Sequence, residues 1–448
     1  MPCGNFAPIF RKLFPAAGRG FFMPRRRCLA ARRNQRVESM TGNEIPVGVL
    51  FSSTGSYSVI GREGHDGAMT AIAEVNGSNL FDFTLKAITA DPACRAENYA
   101  LLANRMMAKD NCGHIIGCQT SWSRKELLPV LERHQGLLWY SVPYEGFESH
   151  DRVIYSGACP NQNVVPLFKH ILPQFGKRAF LTGSNYIWGW EMNRIARELL
   201  AAEDGAVLGE RYVALGDVDI GHLISEIIET RPDFIFNNLI GDSSYAFLRA
   251  LRDLSERDAA FQPNVMPVLS CNLTEAELPI IGAAAEGVIS TSSYFETARY
   301  PKNIDFVRRM HDVRGENVGV SAMFTGPYQA VWALAQAIKA CGSADSDEVR
   351  DLSTKMPLPT PVGDLHIDRT TQHATLTPFI GVVEGAALDH QTRAAFRVVN
   401  PQAHALAPDP YLVNLNSERN ERLQHAASAI SETNASTAGD PGFLRVVK

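Results

Sequence analysis

The sequence predicts an α/β protein of two lobes, each a mostly parallel sheet flanked by helices, joined by three hinge crossovers with a ligand cleft between them. Three observations carry that expectation. From residue 45 short apolar runs alternate with longer amphipathic ones, the pattern of βα units. The alternation breaks near residue 157 and then restarts, giving two such series. A chain of 448 residues, 45% hydrophobic and 20% charged, is long enough for two domains with cores of their own.

The first series opens with a strand over 45–51 and a loop of Ser52, Ser53, Thr54, Gly55 and Ser56. Ala68, Ala71, Ile72 and Val75 then fall at i, i+3, i+4 and i+7, one face of a helix that Asn76 and Gly77 end. Phe81, Phe83, Leu85 and Ala87 alternate with polar residues, as an edge strand with one wet face would. Strands over 115–118, 136–140 and 153–156 complete the series, and Ser123 with Glu126 is the expected capping box of the helix after the first of these.

The second series starts with Val164, Leu167, Phe168, Ile171 and Leu172 on one helix face, followed by strands near 179–182, 211–213, 234–236 and 265–269. Residues 288–295 are expected to cross back, a helix over about 324–341 to pack on the first lobe, and the chain beyond about 355 to return to the second. The expected organisation is a basic, disordered leader (1–44), a first lobe (45–157 plus about 296–355), a second lobe (158–295 plus about 356–413) and a mobile polar tail (414–448).

The formal net charge of -5 leaves no global basic surface, which excludes direct nucleic-acid binding as the main role. The eight cysteines show no CxxC pair and no histidines at zinc-ligand spacing, so they read as small buried residues of a reduced protein and no metal is expected. In the leader, Phe21, Phe22 and Met23 run straight into arginines, short of the apolar stretch of about 7–15 residues that a secretory signal needs. Met40 is an alternative start. No segment reaches the roughly 18 apolar residues of a membrane span. These features favour the cytoplasm, with the periplasm as the alternative.

No GxGxxG after a strand, GxxxxGK[ST], HExxH or GxSxG is present, so neither a catalytic residue nor a cofactor is assigned and the chain reads as a binder rather than an enzyme. In open α/β sheets ligands sit beyond the carboxyl ends of strands, where helix N-termini offer free N–H groups. Three loops stand out there. Gln119, Thr120 and Ser121 place hydroxyls beside a helix start, although N-capping by Ser121 or Ser123 is the plainer reading. Tyr140, Val142 and Pro143 belong to a rigid turn before Gly146, where Tyr140 is either a cleft wall or core packing. Tyr186 and Trp188 lie at a strand-to-helix junction too rich in aromatics to bury entirely. Ile240 and Thr274, with Ser53 and Thr54, are weaker candidates that ordinary loop chemistry also explains. A hydrolase using Ser121 with Glu145 or Glu275 is disfavoured for want of a histidine partner.

The opening PVGVLFSSTGSYSVIGREGHDGAMTAIAEVN, then GCQTSWSRKELLPVLER, WYSVPYEGFE, GACPNQN and PDPYLV resemble, in order and spacing, the type I periplasmic binding protein superfamily. Within it they are most similar to the amide-binding regulators of aliphatic amidase expression, near the urea, amide and branched-chain amino acid binders. The resemblance implies a small neutral amide- or urea-type ligand held by Ser121, Tyr140, Pro143 and Trp188, and lobe closure read by an RNA-binding antiterminator. The alternative partner is an ABC permease. Gln119, Val142 and Trp188 depart from the tyrosine, threonine and tyrosine expected of the amide regulators, which puts acetamide itself in doubt. A homo-oligomer is left open.

Overall fold

Two sheets organise the computed structural model, which describes residues 44–385 and 393–412. The expected tail, and all of the expected leader but Glu44, lie outside the described residues. The first lobe is built from β1 (Glu44–Leu50), α1 (Ser58–Gly77), β2 (Thr84–Ala90), α2 (Ala96–Lys109), β3 (His114–Gly117), α3 (Ser121–His134), β4 (Leu137–Tyr140) and β5 (Val153–Tyr155). Its five strands run in the order β2-β1-β3-β4-β5, all parallel, with β2 at the edge as its alternation predicts.

The second lobe follows with α4 (Val164–Phe175), β6 (Arg178–Ser184), α5 (Ile187–Ala202), β7 (Ala206–Val213), α6 (Gly221–Thr230), β8 (Phe234–Asn238), α7 (Asp242–Arg257), β9 (Val268–Ser270), α8 (Leu278–Ile281) and β10 (Ile289–Ser292). After α9 (Pro301–Arg314), α10 (Ala322–Cys341) and α11 (Ser346–Ser353), the strands β11 (Phe379–Glu384) and β12 (Ala395–Val398) complete a seven-stranded sheet in the order β12-β11-β10-β9-β8-β6-β7. Among the described strands only the β10–β11 and β11–β12 pairs are antiparallel, so each sheet is mostly parallel and needs helices on its faces. Among the described residues no helix is long and apolar enough to cross a membrane.

Two expectations shift. Residues 288–295 are not themselves the crossing: Ile289–Ser292 is β10, its backbone paired with β9 on one side and β11 on the other, and the chain leaves the sheet only afterwards. The final crossing also comes later than residue 356. Leu358, Val362, Leu365, Ile367 and Ala374 belong to the first lobe's core, beside α1 and α10, and His373 bridges to Tyr155 of β5. Apolar spacing marks such residues as buried without saying against which lobe. The chain therefore crosses at 156–163, after β10, and near 377.

Candidate ligand-binding cleft

β3 and β4 are neighbours in the first sheet, and their carboxyl-end loops build one wall. Beyond β3, Gln119 accepts from the Ser52 N–H (2.6 Å) and from Tyr99 OH (2.9 Å), while its Nε2 has no hydrogen-bond partner in the protein. Thr120 is the N-cap of α3. Its extended backbone brings the hydroxyl onto the Ser123 N–H (3.1 Å), and Ser123 Oγ accepts in return from the Thr120 N–H (3.1 Å). This corrects the capping box expected from Ser123 and Glu126, and it leaves Ser121 free of capping duty. Ser121 Oγ instead donates to Glu145 Oε2.

Glu145 comes from the loop after β4. Two consecutive left-handed residues, Gly146 (φ 82°) and Phe147 (φ 58°), follow it, and the Phe147 N–H donates to Pro410 O (2.7 Å). A side chain at Gly146 would put its Cβ 2.6 Å from that same oxygen, so both the φ and the close approach call for glycine. Glu145 and Glu148 flank Arg124, which is wholly buried. Arg124 donates to Glu148 from Nε (2.6 Å) and Nη2 (3.2 Å), and its Nη2 lies 3.5 Å from Glu145 Oε1. Its guanidinium also lies over the rings of Tyr140 (4.6 Å) and Tyr144 (4.5 Å). Burial works against a charged Glu148, but Arg124 and Lys125 outweigh it and hold the carboxyl down at about 2. Among the described residues, Tyr140 OH and Glu145 Oε1 find no hydrogen-bond partner.

The second wall comes from loops beyond β6, β8 and β9. Tyr186 precedes α5 and Trp188 lies in its first turn; both are buried, and Trp188 Nε1 has no hydrogen-bond partner. Burial, with Glu145 and Tyr140 facing it across the cleft, raises the Tyr186 phenol far above its ordinary range. Ile240 contributes an apolar side chain to the second core, and its N–H is taken by Ser184 Oγ (3.1 Å). The Thr274 N–H is taken by Glu277 Oε2 (3.0 Å), while its Oγ1 is unpartnered. Burial pushes Glu275 up to about 8 and Glu277 up to about 7.

The walls touch. Tyr57 of the first lobe joins the second lobe's apolar cluster, with Ile60, Cys94 and Phe147 packed against it, and Arg194 of α5 lies over the Phe147 ring at 4.6 Å. At Gly241 (φ 59°), beyond β8, a Cβ would meet Ser56 O at 2.2 Å, so a backbone-to-backbone approach closes that point. Beside the crossings a chamber of about 830 Å³ stays open between the lobes, lined among others by Ser141, Pro143, Asn163, Asn272, Thr274 and Tyr294.

The expected site residues thus divide. Ser121 and Tyr140 gather around Arg124 and Glu145, with Tyr186 near enough to feel the Glu145 and Tyr140 groups; Gln119 is bonded to Ser52 and Tyr99, Trp188 packs with the second core, and Pro143 and Thr274 line the chamber. Thr120 is spent on capping, Val142 packs into the first lobe's core, and Ile240 packs into the second's. Ser53 and Thr54 are tied down by Asp91 (2.7 and 2.9 Å). Sequence reasoning missed Arg124, Glu148, Asn163 and Tyr294. Arg124 stands three residues after Ser121 on a helix, a spacing that puts both on one face, but nothing in the sequence foretold its burial.

The model of the periplasmic binding protein domain matches residues 45–417. The chain belongs to that family. The Leu/Ile/Val-binding protein homolog 6 of Brucella abortus (strain 2308) is 21% identical over 349 residues, 76% of this chain and 88% of that protein. A solute-binding protein of an R. palustris ABC transporter, solved with 4-hydroxybenzoate, superposes with a TM-score of 0.73 at 21% identity, covering 83% of this chain and 100% of that one. The leucine-binding protein of Thermotoga maritima MSB8 gives 0.67 at 18% identity, over 80% of this chain and 99% of the other. The two-lobed type I binding-protein fold is common to these proteins and to this one.

Proposed function

We propose that the protein is a receptor that closes on a small neutral solute of amide or urea type and passes it to an ABC permease. The observation that carries the ligand class is Glu145. One carboxyl oxygen accepts a hydrogen bond from the Ser121 hydroxyl, and the other, 3.5 Å from Arg124 Nη2, accepts none among the described residues. An amide N–H₂ group supplies the missing donor, and Gln119 Nε2, Trp188 Nε1 and Tyr140 OH, all without partners, are donors for its carbonyl. A carboxylate in the same place would face Glu145 and Ser121, whose proton is already committed. Leucine and hydroxybenzoate, the ligands named for two relatives, therefore fit this wall less well than an uncharged amide does. The ABC transporter named for the R. palustris relative supports the permease as partner, and the periplasmic binding protein family supports the periplasm as location.

A second reading keeps the same ligand and changes the partner: a cytoplasmic sensor that restrains an RNA-binding antiterminator until amide closes it. The free thiols of Cys94, Cys112, Cys118, Cys159, Cys271 and Cys341 favour it, as does the likeness of the 119–123 and 139–148 loops to the amide regulators. In neither reading does the protein catalyse a reaction.

The ligand class is tested by thermal shift with acetamide, propionamide, urea, leucine and 4-hydroxybenzoate. A ligand at 100 times its Kd stabilises by about 2.7 kcal/mol. Stabilisation by leucine or 4-hydroxybenzoate with none by the amides or urea overturns the ligand assignment. Cell fractionation separates the two partners, since recovery in the cytoplasm sinks the permease reading.

A further inference from the structure

We infer that the physiological ligand is a larger amide, one whose neutral, hydroxylated substituent fills the chamber beside the hinge. The inference rests on the amide reading above and extends it. The chamber, about 830 Å³, lies in the range of about 300–1,000 Å³ that encloses drug-sized ligands, whereas an amide of about four heavy atoms leaves nearly all of it unused. It is continuous in sequence with the amide wall. Tyr140 and Glu145 face the closed part of the cleft, and Ser141 and Pro143, between them on the same loop, line the chamber. The proposed ligand follows that loop from Glu145 toward Ser141 and Pro143.

The lining selects the chemistry of the substituent. Asn163, Thr274 and Tyr294 each line the chamber, each is more than nine-tenths buried, and each holds a polar atom without a hydrogen-bond partner: Nδ2, Oγ1 and OH. Buried polar groups of this kind favour a ligand that donates and accepts at several points. Of the charged linings, Asp364 is held by Lys302 (2.6 Å) and Glu384 by Arg397 (2.6 Å), so those positions call for no charged substituent, and Arg299 is exposed, where solvent screens its charge. Tyr294 and Tyr300 add aromatic side chains to the lining, a residue type on which the apolar side of a sugar rests. An N-acylated amino sugar joins these features in one molecule: an amide at one end and a ring of neutral hydroxyls at the other.

The test is calorimetric titration of the full-length protein with acetamide, N-acetylglucosamine and glucose, together with the variant Ser293→Trp. Ser293 lines the chamber at a partly exposed position, so an indole there fills space without entering either core. The expected result is that N-acetylglucosamine binds at least about tenfold tighter than acetamide, as one or two added buried hydrogen bonds require. Glucose alone binds weakly, and Ser293→Trp abolishes the advantage of the sugar while leaving acetamide unchanged. Equal affinity for acetamide and N-acetylglucosamine, or no effect of Ser293→Trp on the sugar, overturns the inference while leaving the amide reading intact. Failure of every amide to bind, with leucine or 4-hydroxybenzoate binding instead, overturns both.

Discussion

The two walls of the cleft carry the same side chain under opposite conditions. On the first, Glu145 and Glu148 are buried around a guanidinium, and Arg124 with Lys125 keeps Glu148 charged to about pH 2. On the second, Glu275 and Glu277 are buried with no bonded cation, and desolvation lifts them to about 8 and 7. Burial alone does not set the charge of a cleft; the nearest countercharge does. The first wall is consequently a fixed acceptor surface, and the second is neutral below about pH 7.

Removing the countercharge breaks this contrast most severely. Arg124→Met leaves two carboxyls buried without their cation, and a loss of about 3–5 kcal/mol is expected in urea denaturation. The double variant Arg124→Met, Glu148→Gln should recover part of that loss. If Arg124→Met unfolds at the same urea concentration as the parent, the ion pair contributes no stability and the contrast between the walls is false.

On the other wall the effect is one of pH. Glu275 and Glu277 stay protonated in the folded chain while their unfolded counterparts ionise near 4.5, so they lower stability as pH rises from there toward 7 and 8. His114 and His373, which burial holds down at about 4, act in the opposite sense, because their neutral folded forms gain on the unfolded chain as pH rises toward 6.5. The parent's own profile is flattened by these opposed terms. The measurable quantity is a difference: Glu275→Gln, Glu277→Gln should gain on the parent by about 2 kcal/mol between pH 5.5 and 6.5, with Glu275 giving the larger share because it ionises later. A constant difference over that interval would mean that both carboxyls are already ionised in the folded protein.

What could be read from the sequence follows the range of the interactions involved. The period of Ala68, Ala71, Ile72 and Val75 and the alternation at 81–87 are local, and α1 and the edge strand β2 followed from them. The partner of a buried residue is not local. Leu358, Val362 and Leu365 read as core but gave no sign of packing beside α1, and the third crossing was consequently placed too early. The site shows the same division. Trp188 and Tyr140 could be singled out as candidates from their type and their place at strand ends, whereas the Ser121–Glu145 bond joins residues 24 positions apart and arises only when β3 and β4 lie side by side.

In the proposed receptor, Glu145 links the fixed wall to recognition. Glu145→Gln keeps the shape but replaces a charged acceptor with a neutral one, so acetamide or urea affinity should fall by about ten- to a hundredfold, the worth of a hydrogen bond to a charged group. Stability at pH 7 should change little, since Arg124 retains Glu148 (2.6 Å). Titration calorimetry reads the first effect and urea denaturation the second. A variant that binds amides as tightly as the parent would move the acceptor role away from this wall.

The smallest expected effect separates scaffold from site on a single loop. Thr120 and Ser121 are adjacent hydroxyls at the start of α3, one capping the helix and the other bonded to Glu145. Thr120→Ala should cost about 1 kcal/mol of stability through the lost cap and leave amide affinity unchanged. Ser121→Ala should do the reverse, weakening binding because Glu145 loses the donor that orients it, with α3 still capped. If both substitutions weaken binding equally, the cap and the wall act as one unit, and the division of labour between these two neighbouring side chains does not hold.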